Sequence, residues 1–517
     1  MAAKRQRSSS TDAGSKATKK RSTRAQDEAE ASDEHAVDTE LSSINNLLQE
    51  EETSQKQTWQ IGKRVKKLLE ARGDLPMTKQ LDAYFLWGTA LARLASLNED
   101  PTLADAAADK FQQMLKLSQD KEDEDAADAA LGPVGFSLWG SSLLIVATET
   151  QSREVLDEAL SKFQKAVEVD GGTSFETRFQ FAKALKEGGD LVTFLEEDGG
   201  EQTKKHYYNR ALEVCGKLEE IYKQETAKQA QEGDQKSTEE LEEDEEEDED
   251  DDKVTAEDFA EAKLLEAVLQ GPMEDQNSVE DFHRTLSLYQ QAISLSSDSA
   301  EALMEMTNYL AARCLSRASL GGTPTVEEWT KLFGDLEAQY RSLLTDANFD
   351  LKECHEICKR KDTHDQEEPE EEEIDERVPH LLNTLGKGLA AFVRSFPELE
   401  DEADRPPKKQ KQKRKKTSGG ARFTHAVEVL RSAHHFHDKL GGYYLACLYA
   451  SPAFENEEQC RTWLETADSY GSLEDEFDVQ EFATMHDKAW FKRLAQPPTQ
   501  IEDIDSVNAA KSDEDEE

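Results

Sequence analysis

Two groups of side chains in this sequence have the chemistry to bind a metal ion. In the first, Cys354 and Cys358 lie four residues apart, with His355 beside them and His364 shortly after. Residues four apart share one face of a helix, so the two thiols would lie one turn apart. A closed zinc site needs four ligands at a recognised spacing, and this set does not match one. We favour ordinary helix packing for these residues, with metal binding as the alternative.

The second group is a run of histidines, His434, His435 and His437, interrupted by Phe436. In a helical pattern the phenylalanine is expected to pack inward, and the histidines are expected to line a helix end or a groove. Metal binding and a pH-dependent role are the alternatives for these imidazoles.

Motifs that mark catalysis are missing from the sequence. It has no P-loop, no nucleotide-binding glycine fingerprint after a strand, no nucleophile elbow and no zinc-protease helix motif. Gly386 and Gly388 form a Gly-x-Gly, but they lie within a helical pattern. The six cysteines are scattered rather than arranged as a disulfide framework, which favours a reducing compartment. We therefore predict a protein that is not an enzyme and uses no cofactor.

A basic block follows Pro406-Pro407 and should be exposed and extended. It contains Lys408, Lys409, Lys411, Lys413, Arg414, Lys415 and Lys416. Such blocks are typical of nuclear import signals and of nucleic-acid patches. We favour import, and hence a nuclear protein, because the strongly acidic remainder of the chain would repel phosphate.

The chain of 517 residues has a formal net charge of −49, concentrated in blocks such as Glu239–Asp252 and Glu367–Glu376. Blocks of one charge repel themselves and are expected to be disordered. They could serve solubility and spacing, or could attract basic partners. The longest apolar stretch, Phe136–Thr148, is interrupted by Gly140, Ser141 and Ser142, so we predict a buried helix and no membrane span.

Helical periodicity dominates the remaining sequence, and strand-like alternation is nearly absent. The glycine pairs 171–172, 188–189, 321–322 and 441–442 are predicted to end helices, and Thr325 with Glu328 predicts a capping box. The predicted organisation is a disordered tail over 1–38, helical hairpins over 39–231, a disordered acidic insert over 232–253, hairpins over 254–361, an acidic linker over 362–374, a helix over 375–397, a disordered insert with the basic block over 398–420, hairpins over 421–495 and a disordered acidic tail over 496–517.

An internal repeat is the most informative feature of the sequence. Leu-Trp-Gly-Thr-Ala-Leu at 86–91 matches Leu-Trp-Gly-Ser-Ser-Leu at 138–143, an offset of 52 residues. The same offset relates a later triplet, Ala107, Phe111 and Met114, to Ala159, Phe163 and Ala166. Agreement over two separate segments indicates two copies of a helical hairpin.

The residue types explain why this spacing recurs. A small residue, an aromatic four positions later and an apolar residue after three more share one helix face. The small residue allows close approach of the partner helix, as do Gly88 after Trp87 and Gly140 after Trp139. Related triplets are Thr285, Tyr289 and Ala292, and Cys460, Leu464 and Ala467. We predict an all-α fold, a tetratricopeptide (TPR)-like array of helical hairpins forming an α-solenoid.

Several stretches resemble the fungal enhancer of translation termination family. They are Gly-Tyr-Tyr-Leu-Ala-Cys-Leu-Tyr-Ala at 442–450, Cys-Arg-Thr-Trp-Leu at 460–464, Ala-Asp-Ser-Tyr-Gly at 467–471, Asp-Lys-Ala-Trp-Phe at 487–491, Ser-Leu-Tyr-Gln-Gln-Ala-Ile at 287–293 and Trp87-Gly88. The resemblance spans residues 40 to 495 and rests on repeat residues. It implies a nuclear adaptor linked to translation termination and to control of hypoxic gene expression. The partners it implies are a prolyl-hydroxylase-like dioxygenase, an import receptor and termination factors.

Two other functions fit the same composition. A histone chaperone would use the acidic blocks to bind basic histone surfaces. An RNA-processing scaffold would reach nucleic acid through the basic block. The adaptor hypothesis is favoured over both, and no residue of a partner contact can be assigned from the sequence.

Overall fold

A computed structural model describes residues 35–49, 54–71, 75–119, 124–196, 199–236, 253–275, 278–316, 324–362, 374–399, 420–473 and 477–495. Throughout these residues the regular structure is helical, and none of them lies in a strand. The chain divides into two compact units, Met1–Val254 and Thr255–Glu517. The prediction of an all-α protein with many packed helices is confirmed.

The described residues of the first unit form eight helices. They are α1 over residues 35–49, α2 Gln55–Ala71, α3 Met77–Asn98, α4 Pro101–Gln119, α5 Glu124–Thr150, α6 Arg153–Val169, α7 Phe175–Leu195 and α8 Gly200–Lys236. Helix α1 starts before the predicted boundary at residue 38, because Val37 already belongs to its buried face. At the other end, α8 continues past the predicted boundary at residue 231.

Packing in the first unit follows the order of the chain. From α2 to α8, each helix packs on the next one, and α5 also packs on both α3 and α7. The hairpins are therefore α3 with α4, α5 with α6 and α7 with α8. At the start of the unit a separate apolar cluster joins α1, α2 and α3 through residues such as Ile44, Val65 and Leu86. Contacts that link near neighbours in sequence are the pattern of a stack of hairpins.

The second unit contains ten α-helices and one short 3-10 helix among its described residues. They are α9 Ala256–Met273, α10 Val279–Leu295, α11 Ala300–Ser316, α12 Val326–Asp346, α13 Glu353–Asp362, α14 Arg377–Ser395, α15 Ala421–Phe436, α16 Gly442–Ala450, α17 Glu457–Ser469, the 3-10 helix Val479–Met485 and α18 Ala489–Leu494. One large apolar cluster runs through the unit.

Helix α14 lies at the centre of the second unit, where it packs on α11, α12, α15 and α16. Two glycines allow this. A Cβ on Gly386 would lie 2.4 Å from Cδ2 of Leu430 in α15, and one on Gly388 would lie 2.8 Å from Cγ2 of Thr307 in α11. The Gly-x-Gly sequence therefore serves helix packing.

Helix ends follow the sequence in most places. Thr325 and Glu328 form the predicted capping box of α12. Gly171 adopts a positive φ of 69° just after α6 ends, as predicted. Gly441, with φ of 76°, instead precedes the start of α16, because α15 already ends at Phe436. The expectation for Gly188-Gly189 is wrong, because both lie buried inside α7, where they give room to neighbouring helices. Gly321-Gly322 lies outside the described residues.

Candidate protein-binding site

The two repeat copies place their glycine and phenylalanine in the same way. In the first hairpin, a Cβ added to Gly88 of α3 would lie 2.8 Å from the ring of Phe111 in α4. In the second, a Cβ added to Gly140 of α5 would lie 2.7 Å from the ring of Phe163 in α6. Each ring therefore fills the space that the missing side chain leaves. The 52-residue offset in the sequence corresponds to equivalent positions in successive hairpins.

The tryptophan before each glycine lies beneath a lysine. Nζ of Lys110 is 4.7 Å from the ring centre of Trp87, and Nζ of Lys162 is 4.0 Å from that of Trp139. These lysines obey the same 52-residue offset, a signal in the sequence that our interpretation missed. A cation over an indole face adds about 0.5–1 kcal/mol at an exposed site. Trp139 is buried, whereas Trp87 is only half-buried and keeps part of its ring in contact with solvent.

A third hairpin, α7 with α8, repeats the contact with different residues. A Cβ on Gly189 would lie 2.9 Å from the ring of Tyr208, and Lys204 lies over that ring at 5.2 Å. The 52-residue pattern does not reveal this copy, because its glycine and aromatic are closer in sequence than in the first two and the ring belongs to a tyrosine. Glycine against an aromatic ring is thus common to three successive hairpins.

Hydrogen bonds fix the start of α8 on α6 and α7. The Tyr208 hydroxyl donates to Oδ1 of Asp190 at 2.5 Å, and Nζ of Lys204 lies 3.0 Å from the same oxygen. Burial disfavours the charged form of Asp190, but the hydrogen bonds from Tyr208, Lys204 and Lys186 outweigh it and lower the pKa of this carboxyl. Arg153 of α6 similarly meets the Tyr207 hydroxyl at 3.0 Å.

Helix α5 has two apolar faces, of which only one is buried in the unit. Its inner face includes Trp139 and Leu144. On the outer face Val134 is 61% exposed, and Leu138, Ser141 and Ile145 are half-buried. We call these last four residues the α5 stripe. Their spacing of four, three and four residues places them along one line of the helix.

The stretch Leu131–Thr150 of α5 is long and apolar enough to cross a membrane by length and composition, and half of it is buried. The same properties belong to the inner helix of an array, and α5 packs on four helices of its unit. Gly132 breaks the helix with φ of 61°, and Pro133 begins its second part, where its missing N–H costs nothing.

Helix α7, which packs on α5, carries an exposed acidic residue. Partial desolvation raises the pKa of the Glu187 carboxyl, against the charges of Lys186 and Lys183. The exposed Phe194 lies two turns further along α7.

The two other predicted triplets are buried on the second helix of a packed pair. Thr285, Tyr289 and Ala292 lie on α10, which packs on α9. Cys460, Leu464 and Ala467 lie on α17, which packs on α16. Their interpretation as packing residues is consistent with these positions.

The candidate metal ligands within the described residues lie where α13 packs on α15. Cys354 is buried, and desolvation raises the pKa of its thiol to about 12. His355 Nδ1 lies 2.6 Å from Glu428 Oε1, and the Cys358 thiol donates to the Glu428 carbonyl at 3.7 Å. Among the described residues no three His, Cys, Asp or Glu side chains are placed to hold one metal ion. His364 lies outside the described residues.

The histidine run lies where α15 ends. His434 and His435 are in its last turn, and His437 caps it. Phe436 packs edge-on against Phe349 at 5.7 Å between ring centres, as expected for an inward phenylalanine. His434 stacks edge-on against Trp463. The basic block, Lys408, Lys409, Lys411, Lys413, Arg414, Lys415 and Lys416, lies outside the described residues.

Comparison with known proteins gives no relative: no family model matches the chain, and no match is found among curated proteins.

Proposed function

We propose that the chain is a nuclear adaptor whose first unit is a TPR-like solenoid that binds a segment of a partner protein along the α5 stripe. The proposal depends on two equivalent glycine–phenylalanine contacts, Gly88 with Phe111 and Gly140 with Phe163. Repetition of this contact stacks the hairpins so that their first helices lie side by side. Stacks of hairpins present extended concave surfaces to their partners.

The α5 stripe fits this role by composition and position. Its three apolar side chains keep surface in contact with water, while the opposite side of the helix, with Trp139 and Leu144, is buried in the array. The helix packs between α3 and α7, the first helices of the neighbouring hairpins. Side chains spaced four, three and four residues apart, as in the α5 stripe, can pack against the apolar face of a helical segment of the partner.

The decisive experiment changes the stripe without changing the fold. The full chain, tagged and carrying Val134→Glu and Leu138→Glu, is used to capture partners from nuclear extract, followed by mass spectrometry. We expect the loss of partners that the unchanged chain captures in a saturable manner. The matched control adds two carboxylates to exposed positions of the second helices, Gln112→Glu and Ser161→Glu, and should capture the same partners.

Unchanged capture by the stripe variant, with an unchanged helical circular dichroism spectrum, would exclude this surface. Loss of capture by both variants would point to a general effect of charge and would also count against the stripe. Thermal unfolding of both variants separates either outcome from a failure to fold.

The nuclear part of the proposal depends on the basic block. Replacing Lys413, Arg414, Lys415 and Lys416 by alanine should move a fluorescently tagged chain from the nucleus to the cytoplasm. A second, sparser set of basic residues lies near the start of the sequence. The same number of alanines placed there, at Lys4, Arg5, Arg7 and Lys19, should have a smaller effect. Nuclear accumulation that survives the first change would refute the assignment.

From the resemblance to the enhancer of translation termination family, we propose that the partners act in translation termination and in hypoxic gene expression. A dioxygenase of the prolyl-hydroxylase type, an import receptor or a termination factor should therefore be among the captured proteins. If none of these three classes is captured, the proposed role in termination and hypoxic gene expression is contradicted. The α5 stripe as a binding surface would still be tested by the Val134→Glu and Leu138→Glu variant.

The net charge of −49 favours one alternative, an acidic histone chaperone. Deleting residues 239–252 separates the two proposals. A chaperone should lose most of its histone binding, and the remainder should fall steeply with salt. An adaptor that binds through the α5 stripe should keep its partner.

A further inference from the structure

A cleft of about 520 Å³ lies in the second unit, beside the start of α11 and the start of α14. Its apolar walls come from Ala300 and Met304 of α11 and from Leu381 of α14. Leu381 is buried, and Met304 is half-buried. The apolar part of such a cleft can take an aliphatic chain.

The rim of the cleft is acidic. Asp298 precedes α11, Glu301 lies in its first turn, and Glu376 caps the start of α14. Within the described part of the chain, neither Glu301 nor Glu376 has a hydrogen bond or an ion pair through its carboxylate. Both side chains are exposed and can turn toward an occupant.

The cation at the rim, Arg377, is directed to a carboxylate beside the cleft. Its Nη2 lies 2.8 Å from Asp375 Oδ2, and its Nε donates to Asp375 Oδ1 at 3.1 Å, a two-pronged contact. Its distance to Asp298 is longer, 3.7 Å. The hydrogen bond from Arg377 holds the pKa of the Asp375 carboxyl at about 2, so this pair stays ionised at neutral pH. Three rim carboxylates thus face one cation that Asp375 already neutralises.

We propose that this cleft takes one lysine or arginine side chain of a partner protein. The aliphatic stem would lie against Met304 and Leu381, and the cationic head would lie among the carboxylates of Asp298, Glu301 and Glu376. Long cationic side chains bury their stems on apolar surface and keep their heads at a polar rim. Guanidinium and ammonium groups only donate hydrogen bonds, which suits a rim of acceptors.

This inference rests on the proposed protein-binding function for the existence of a partner, but it concerns a different surface from the α5 stripe. It adds the chemistry of a second contact: a basic residue, in agreement with the acidic charge of the whole chain. A neutral or acidic residue at that position of the partner should be rejected.

The probe is N-acetylarginine amide, titrated into the full chain labelled with ¹³C at its methionine methyl groups. Met304 lines the cleft, and a Met304→Leu variant identifies its methyl resonance. We expect a saturable shift of that resonance, with a dissociation constant on the order of millimolar. N-acetylcitrulline amide, which has nearly the same shape without the charge, should leave it in place.

Glu301→Gln combined with Glu376→Gln should weaken the response at least about tenfold. The control is Glu280→Gln with Glu327→Gln, two exposed acids in the first turns of α10 and α12, which should respond like the unchanged chain. Equal shifts with arginine and citrulline compounds, or no Met304 shift at saturating concentrations of several tens of millimolar, would overturn the proposal. Such a result would not affect partner capture through the α5 stripe. Failure of the cleft proposal can therefore be distinguished from failure of the proposed function.

Discussion

The two units of this chain bury their helices in different ways. In the first unit each helix packs mainly on its neighbours in sequence, and a glycine against an aromatic ring recurs in three hairpins. In the second unit α14 packs on α11, three helices before it in the chain, as well as on α12, α15 and α16, and carries twelve buried residues. Packing between sequence neighbours leaves a periodic trace in the sequence, whereas a central helix depends on contacts distant in sequence and leaves none.

Substitutions in the glycine–phenylalanine contacts of the first unit should have the largest effect on stability. Phe163→Ala should lower the free energy of unfolding by about 3–5 kcal/mol, because a fully buried ring leaves a cavity. Gly140→Ala alone should also destabilise, since its Cβ would lie 2.7 Å from that ring. In the Phe163→Ala background the same change should stabilise by about 1 kcal/mol, because alanine favours a helix over glycine once the ring is gone.

Urea unfolding of the four variants measures this coupling. The pair Gly88 and Phe111 provides the replicate in the neighbouring hairpin and should give the same reversal of sign. If the losses of unfolding free energy from the glycine and phenylalanine substitutions were additive in both hairpins, glycine and ring would not be in direct contact. The interpretation of the first unit as stacked repeats would then lose its basis.

For the second unit, Gly441→Ala should cost about 3 kcal/mol. Gly441 has φ of 76°, and a Cβ there would lie 2.1 Å from the Leu430 carbonyl oxygen, a backbone atom that cannot step aside. Left-handed strain and overpacking each cost about 1–3 kcal/mol. Gly471→Ala offers the control, with φ of 72° and no atom nearby, so it should cost only the strain. Equal losses in the two variants would show that the close approach to α15 is unimportant.

These residues also show how far the sequence leads. The equivalence of Trp87 and Trp139 and the capping box at Thr325 follow from spacing alone, since both depend on local helix geometry. The prediction for Gly188-Gly189 was wrong because glycine is common both at helix ends and at close contacts between helices. Only the neighbouring residue in the fold, here Tyr208 against Gly189, distinguishes the two. The cleft beside Met304 joins segments some 80 residues apart, and no local pattern connects them.

Helix caps should give a smaller difference between the units. In α12 Thr325 and Glu328 cap reciprocally, whereas in α6 Ser152 accepts a single bond from the Val155 N–H at 3.4 Å. Thr325→Ala should therefore destabilise by about 1 kcal/mol and Ser152→Ala by about 0.5 kcal/mol. Thermal unfolding of the two variants provides the measurement. A larger loss at Ser152 would mean that the first unit depends on its caps more than on its packing.

The smallest expected effect is a difference in the response to acid. Burial disfavours ionisation of both Asp190 in the first unit and Glu274 in the second. For Asp190, hydrogen bonds outweigh burial and lower the pKa, so its stabilising contribution is present above the unfolded value of about 3.9 and is lost as the pH falls through the lowered pKa. For Glu274, burial prevails over the hydrogen bond from Tyr309 and raises the pKa. Its contribution is complete below the unfolded value of about 4.3 and is lost as the pH rises through the raised pKa.

Amide hydrogen exchange of α7 and of α10, followed between about pH 2 and pH 7 in the unchanged chain and in Asp190→Asn and Glu274→Gln, tests this sign, because local opening is reported helix by helix. Relative to its variant, Asp190 should protect α7 more as the pH rises, whereas Glu274 should protect α10 less. The same slope for both carboxylates would mean that the bonds of Tyr208 and Lys204 to Asp190 do not outweigh its burial. The difference between the units would then lie in packing alone, since their buried carboxylates would respond to acid in the same way.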